Sequence, residues 1–226
     1  MTKDSITVSK LTLWQGITGV LAVLFVLSIA TGGFGFGSMD DVRDGTGSAV
    51  QQRTQAQAPS LESFGDNGRE LGSPDAKVVV TKYSSFSCGF CARAAPTVKQ
   101  LVENYDDVKL VYKHFDRGGP DGRAAQATEC AGEQGQFWDM HDMIFERGAS
   151  GNVEAYARDI GLDMSEFNEC LNSGKYAALV AQHTSEARAL GFSGTPSFTI
   201  NDQNLVGAQP YENFAAVVDQ ELARLQ

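Results

Sequence analysis

Two cysteines three positions apart, Cys88 and Cys91, follow a strand-like run, Lys77 to Tyr83, and open a helix-like one. No other feature restricts the chain as much, because it fixes a β-to-α junction and puts sulfur at a helix start. Lys77-Val78-Val79-Val80-Thr81 reads as a buried strand. At the start of the helix that follows, backbone N–H groups lack intrahelical acceptors and the helix dipole is positive, and both favour thiolate over thiol. Cys88 is therefore the expected nucleophile. Cys91, one turn on, is placed to attack a mixed disulfide formed at Cys88 and release the partner, which is the resolving step of thiol-disulfide exchange. Gly89 and Phe90 are the residues between them.

Two plainer readings compete with the redox one. A zinc half-site needs two more soft ligands, usually as a second close pair. Cys130 and Cys170 stand apart, and neither has a histidine at ligand spacing, so no metal is expected. An inert structural disulfide is the other; the strand-to-helix setting favours redox chemistry over it.

Far downstream, Gly194-Thr195-Pro196 precedes the strand-like Ser197-Phe198-Thr199-Ile200. Alone this is a turn before a strand. After a C-x-x-C, in this order, it resembles the thioredoxin superfamily, in which the matching proline is cis and sits against the active-site cysteines. Gly72-Ser73-Pro74-Asp75-Ala76-Lys77-Val78 leading to Ser85-Phe86-Ser87-Cys88 narrows the resemblance to disulfide oxidoreductases of the DsbA type. Val111 to Phe115, Cys130 to Trp138 and Phe167 to Leu171 match as well, so the likeness covers about residues 70 to 226. It implies an α/β thioredoxin fold with a helical insertion at about residues 118–190. It also implies that Cys88 attacks, Cys91 resolves, and Thr195 and cis Pro196 bind the partner peptide. No bound cofactor is implied. The implied partners are cysteine-containing exported polypeptides and a quinone-linked membrane reoxidase.

The chain departs from that family at two places. Gly89-Phe90 stands where related oxidases often carry proline or histidine, and these residues tune the thiolate. The redox potential is therefore open, and a reductase or isomerase using the same site is the alternative direction. A tethered chaperone or binding module with a structural Cys88–Cys91 disulfide is the alternative from another class. Lys82 lies six residues before Cys88, where relatives usually have an acid. It reads either as a cation that stabilises the Cys88 thiolate and makes the disulfide more oxidising, or as a lysine snorkelling its ammonium to water at a strand end.

The chain has 226 residues, of which 42% are hydrophobic, enough for one membrane segment and one core-bearing domain. The expected division is a cytoplasmic tail at 1–10, a transmembrane helix at 11–33, a flexible linker at 34–70 and the thioredoxin-like domain at 71–226. Leu11 to Ala30 is about 20 residues without a charge, the span of a hydrocarbon core, with Trp14 suited to one interface. Ser28 and Ala30 also form a small-residue pattern of the kind a cleaved signal peptide carries. The length of the uncharged run favours a retained anchor. Lys3 and Lys10 precede the segment and Asp40, Asp41 and Asp44 follow it, which puts the N-terminus in the cytoplasm and the cysteines outside, where disulfides persist. Gly35 to Asn67, rich in Gly, Ser, Gln and Asp, reads as a tether.

Within the domain, Pro96 should kink the helix after Cys88, and Val108 to Phe115 reads as the next strand. About 70 residues rich in Ala, Glu, Gln and Met then read as successive helices. Asn201-Asp202 is a turn into Gln203 to Val206, and Tyr211 to Leu222 is a closing amphipathic helix. Cys130 and Cys170 fall in two of the inserted helices, and in an exported domain they are expected to form a structural disulfide. Two buried free thiols and an auxiliary redox pair are the alternatives. Phe137, Trp138, Met140, Met143 and Phe145 form either a hydrophobic client groove or core. His114, His141 and His183 receive no catalytic or metal role. A net charge of −10 argues against a nucleic-acid surface.

Overall fold

The computed structural model describes residues 69–226; the expected tail and anchor, and the linker up to residue 68, lie outside the described residues. Strict alternation builds the centre of the sheet. β3 (Val108–His114) buries Val108, Leu110, Tyr112 and His114. It runs parallel to β2 (Val78–Ser84), from Val78 opposite Val108 to Ser84 opposite His114. Parallel neighbours need a crossover, and α1 (Gly89–Asn104) supplies it, continuing through Pro96 as one helix.

On its other side β2 pairs antiparallel with β4 (Ser197–Ile200), Val80 opposite Ile200 and Tyr83 opposite Ser197. β5 (Gln203–Val206) pairs with β4, and β1 (Glu70–Gly72) with β3, both antiparallel, giving a mixed five-stranded order β1-β3-β2-β4-β5. The β4–β5 turn places Asn201 at φ 47°, a conformation asparagine tolerates, and its Oδ1 accepts the Val79 N–H at 2.9 Å.

β1 is an element that periodicity does not reveal. Glu70, assigned from sequence to the end of the linker, pairs with Val111, and Arg69 donates to the buried Glu129 carboxylate at 2.7 Å. Gly72 closes β1 at φ +103°, where a Cβ would stand 2.6 Å from the Val108 carbonyl oxygen.

Five helices separate β3 from β4: α2 (Asp121–Gly132), α3 (Phe137–Arg147), α4 (Val153–Asp159), α5 (Met164–Ser173) and α6 (Ala177–Ala189). α7 (Tyr211–Arg224) closes the domain. Helix starts follow capping chemistry: Asn152 accepts the Ala155 N–H and Asp163 those of Ser165 and Glu166. One core joins Val78, Val80, Leu110 and Phe198 of the sheet to Val98 of α1 and Phe214 of α7. A second lies within the inserted helices around Phe137, Met140, Ile144 and Phe167, with Trp138, Met143 and Phe145 partly buried against it. The aromatic and methionine stripe is thus core. A disulfide joins Cys130 of α2 to Cys170 of α5, with Cα atoms 5.8 Å apart.

Candidate active site

Cys88 is the N-cap of α1, with extended backbone at φ −99°, ψ 108°. Its carbonyl accepts the N–H groups of Cys91 and Ala92, while its sulfur faces the N–H groups of Phe90 and Cys91. No acidic residue lies in the first turn of α1, so no fixed negative charge competes with a thiolate for the helix dipole. The Cys88 thiol donates to the Thr195 carbonyl oxygen at 3.2 Å, across the cis Thr195–Pro196 bond. Cys88 and Cys91, brought together with Thr195 and Pro196, are both free thiols.

The two sulfurs are not equivalent. Burial pushes the Cys88 thiol up, but the Thr195 hydroxyl near it and the N–H groups of Cys91 and Phe90 together hold its pKa below the ordinary thiol value. Cys91 is fully buried. Burial raises its pKa beyond what the Ser85 backbone and the hydroxyls of Ser84 and Thr195 recover, and a negative Cys88 raises it further. Charge in the reduced pair therefore settles on Cys88. Phe90, between them, is 59% exposed and lies under the Arg93 guanidinium at 4.1 Å.

Lys82 does not snorkel. It is 1% exposed beneath α1, with Nζ donating to the Cys91 carbonyl at 3.2 Å and lying 5.3 and 5.7 Å from the ring centres of Phe145 and Tyr112. Burial pushes its pKa down to about 8, and Cys91, more strongly than Cys88, holds it up. The cation thus sits under the resolving cysteine.

Asp121 is a residue that sequence reading missed. At the start of α2 it is 2% exposed. Its Oδ1 accepts Ser87 N–H and Ser87 Oγ–H, both at 2.7 Å, and its Oδ2 accepts Ser85 Oγ–H at 2.7 Å and Arg117 N–H at 3.3 Å. One carboxylate thereby ties down the loop that delivers Cys88. In the sequence it looks like any acid in a helix's first turn; only its burial sets it apart.

The histidines lie elsewhere. His114 meets Glu129 at 2.8 Å, a carboxylate that also holds Arg69. Burial lowers His141 to about 3 and His183 to about 2, so both are neutral at ordinary pH. Among the described residues no group of three or more His, Cys, Asp or Glu is arranged to hold a metal ion.

Known proteins resemble this chain to different extents. A thioredoxin-like oxidoreductase from Silicibacter pomeroyi is 30% identical, with a TM-score of 0.64 over 74% of this chain and 99% of its own. The thiol-disulfide exchange protein alpha-DsbA2 of Wolbachia pipientis (21% identical, TM-score 0.62, covering 71% of this chain and 92% of its own) shares the fold. So does BdbD of Bacillus subtilis (20% identical, TM-score 0.62, covering 74% and 96%). Among curated proteins, the Na(+)/H(+) antiporter NhaA 3 of Salinispora tropica is 33% identical over 159 residues, 68% of this chain but 24% of the antiporter. The chain spans about a quarter of the length of such relatives, so transport does not carry over with the likeness. The thioredoxin family model matches residues 66–220. With a C-x-x-C at the β2–α1 junction, a cis-proline loop against it and a mixed sheet behind, the chain belongs to the thioredoxin family.

Proposed function

We propose that the protein is a thiol:disulfide oxidoreductase whose Cys88–Cys91 disulfide is donated to cysteine-containing exported polypeptides. The observation that carries this reading is the asymmetry of the pair: an acidified sulfur at the helix start backed by a buried, less acidic one. In the oxidising direction a client thiolate attacks Cys88 of the disulfide and Cys91 leaves as the thiolate, then takes up a proton. A second client thiolate attacks the client sulfur of the mixed disulfide, and Cys88 leaves. Two electrons pass from client to protein, and the client gains one disulfide. A stabilised Cys88 thiolate is a good leaving group and favours the reduced protein, so the disulfide is oxidising.

In this reading Thr195 and cis Pro196 hold the client backbone, and Phe90 offers it an exposed ring. Residues 11–33 anchor the domain on the outer side of the membrane, and a quinone-linked membrane protein reoxidises the pair. Support for the topology comes from the lysines before the uncharged run and the aspartates after it.

The test is oxidation of a reduced, unfolded protein by the oxidised full-length chain, together with capture by Cys91→Ser. Stoichiometric disulfide transfer, and mixed disulfides joined through Cys88 in the variant, are expected. A pair that neither transfers its disulfide nor captures a client would refute the proposal. A redox potential near that of thioredoxin, about −270 mV, rather than near that of DsbA, about −120 mV, would assign the reductase direction instead.

A further inference from the structure

Beside the Cys88 loop is a cleft of about 530 Å³. One wall is the segment after β3, Phe115 to Arg117; the other is the end of α6 and the loop behind it, with Arg188, Phe192 and Ser193. Both walls are tied to the reactive sulfur. Phe115 N–H donates to Ser84 O at 2.7 Å, and Arg117 N–H shares the Asp121 carboxylate with Ser87, the residue before Cys88. Opposite, Ser193 lies two residues, at most about 7 Å, from Thr195, whose carbonyl is 3.2 Å from the Cys88 sulfur.

The lining is built for an anion with some apolar bulk. Phe115 and Phe192 form buried walls, and the Arg188 guanidinium stands 5.8 Å from the Phe115 ring centre. Among the described residues neither Arg117 nor Arg188 has a carboxylate partner for its guanidinium. Asp116 lines the same cleft, its Oδ1 accepting Gly118 N–H at 2.7 Å, so one carboxylate faces the two guanidinium groups; Glu186 holds Lys113 and the Tyr83 hydroxyl. Hydrogen bonds from Gly191 N–H to Arg188 O and from Phe192 N–H to Ala187 O fix the loop before any ligand arrives. The chain as a whole carries −10, whereas this lining sets two guanidinium groups against the one carboxylate of Asp116, a local balance opposite to the general charge.

We propose that this cleft is a carboxylate subsite, in which Arg117 and Arg188 receive an acidic side chain of the client polypeptide lying within a few residues of its reacting cysteine. Planar guanidinium groups suit a carboxylate better than ammonium groups do. The inference rests on the exchange reading and adds a sequence preference to it. It also runs against two general effects: a protein of net negative charge repels acidic peptides, and flanking acids reduce the thiolate fraction of a cysteine.

The experiment compares reduced two-cysteine peptides, identical except for three Glu, Gln or Lys residues beside one cysteine, reacted with the oxidised full-length protein. Rates are expressed per thiolate. The Glu peptide is expected to react about tenfold faster than the Lys peptide at low ionic strength, the scale of two exposed ion pairs, with the gap narrowing in high salt. The double change Arg117→Ala with Arg188→Ala should bring the Glu-to-Lys ratio to one or below, and Arg117→Lys with Arg188→Lys should keep much of it.

Serine versions of the same peptides, titrated by fluorescence anisotropy, read the cleft without any chemistry. Tighter binding of the Glu peptide, lost in the double alanine variant, supports the subsite even where no peptide is oxidised, an outcome that would refute only the exchange reading. Oxidation of all three peptides at equal rates, or a faster Lys peptide in the unaltered protein, overturns the subsite and leaves the exchange reading standing.

Discussion

Two side chains lie close behind the sulfurs, and each has a measurable signature. The Thr195 hydroxyl lies near both cysteines and helps hold the Cys88 pKa down. Thr195→Val keeps the shape and removes the donor, so the Cys88 pKa should rise; alkylation rate against pH reads the shift, and an unmoved midpoint would assign the acidity to the helix backbone alone. Lys82 carries the opposite kind of effect. Its pKa is about 8 in the fold, against 10.5 as its ordinary value, so below about pH 8 a buried charge is a standing cost. The folded state binds fewer protons than the unfolded one between those values, and stability from this residue rises with pH across that window. In the oxidised protein, where no thiolate holds the ammonium's pKa up, Lys82→Met should be more stable than the wild type by at least about 3 kcal/mol at pH 7. Denaturant titrations should show that margin closing by about pH 10; a flat margin would mean that water reaches the ammonium. The burial of Lys82 could not be read locally. Val-Val-Val-Thr-Lys-Tyr-Ser ends like a strand running out to solvent, and only α1 above it and Phe145 and Tyr112 beside it close off the water.

At the scale of elements, packing that crosses long stretches of sequence holds the reactive loop. Asp121→Ala removes the acceptor of four hydrogen bonds and leaves the Ser85 and Ser87 donors unpaired. A loss of about 3 kcal/mol is expected in denaturant titrations. A loss below about 0.5 kcal/mol, the level of an ordinary surface substitution, would show that the loop holds itself. The Cys130–Cys170 bridge spans 40 positions between α2 and α5. In the loop-entropy account, replacing both cysteines by serine should cost about 4 kcal/mol of stability while leaving the acidity of Cys88 where it was. Elements with a clear hydrophobic period were legible in sequence. β4 and β5 fall on the expected residues, β3 stops one residue short, β2 is displaced by one residue at both ends, and α7 starts at Tyr211 and runs two residues further than expected. β1 was not, because Glu-Leu-Gly has no period to detect and exists as a strand only through its pairing with β3.

For the whole molecule, the order of motifs along the chain carried more information than any one of them. A C-x-x-C at a strand-to-helix junction and a Thr-Pro over a hundred positions later pointed to one site, and β2 and β4, adjacent in the sheet, bring them together. The intervening helices were legible as helices, but not which faces they would bury; the Phe137 to Phe145 stripe admitted a groove or a core, and packing made it core. The cleft with Arg117 and Arg188 was invisible in the sequence for the same reason, since its two walls are brought together only by the fold. The most direct test of the account is the pH dependence of alkylation in the fully reduced protein, with the modified residues located by mass spectrometry. Reaction confined to Cys88, with a midpoint below the ordinary thiol value of about 8.5, is predicted. Equal labelling of Cys88 and Cys91, or a midpoint at or above that value, would contradict it.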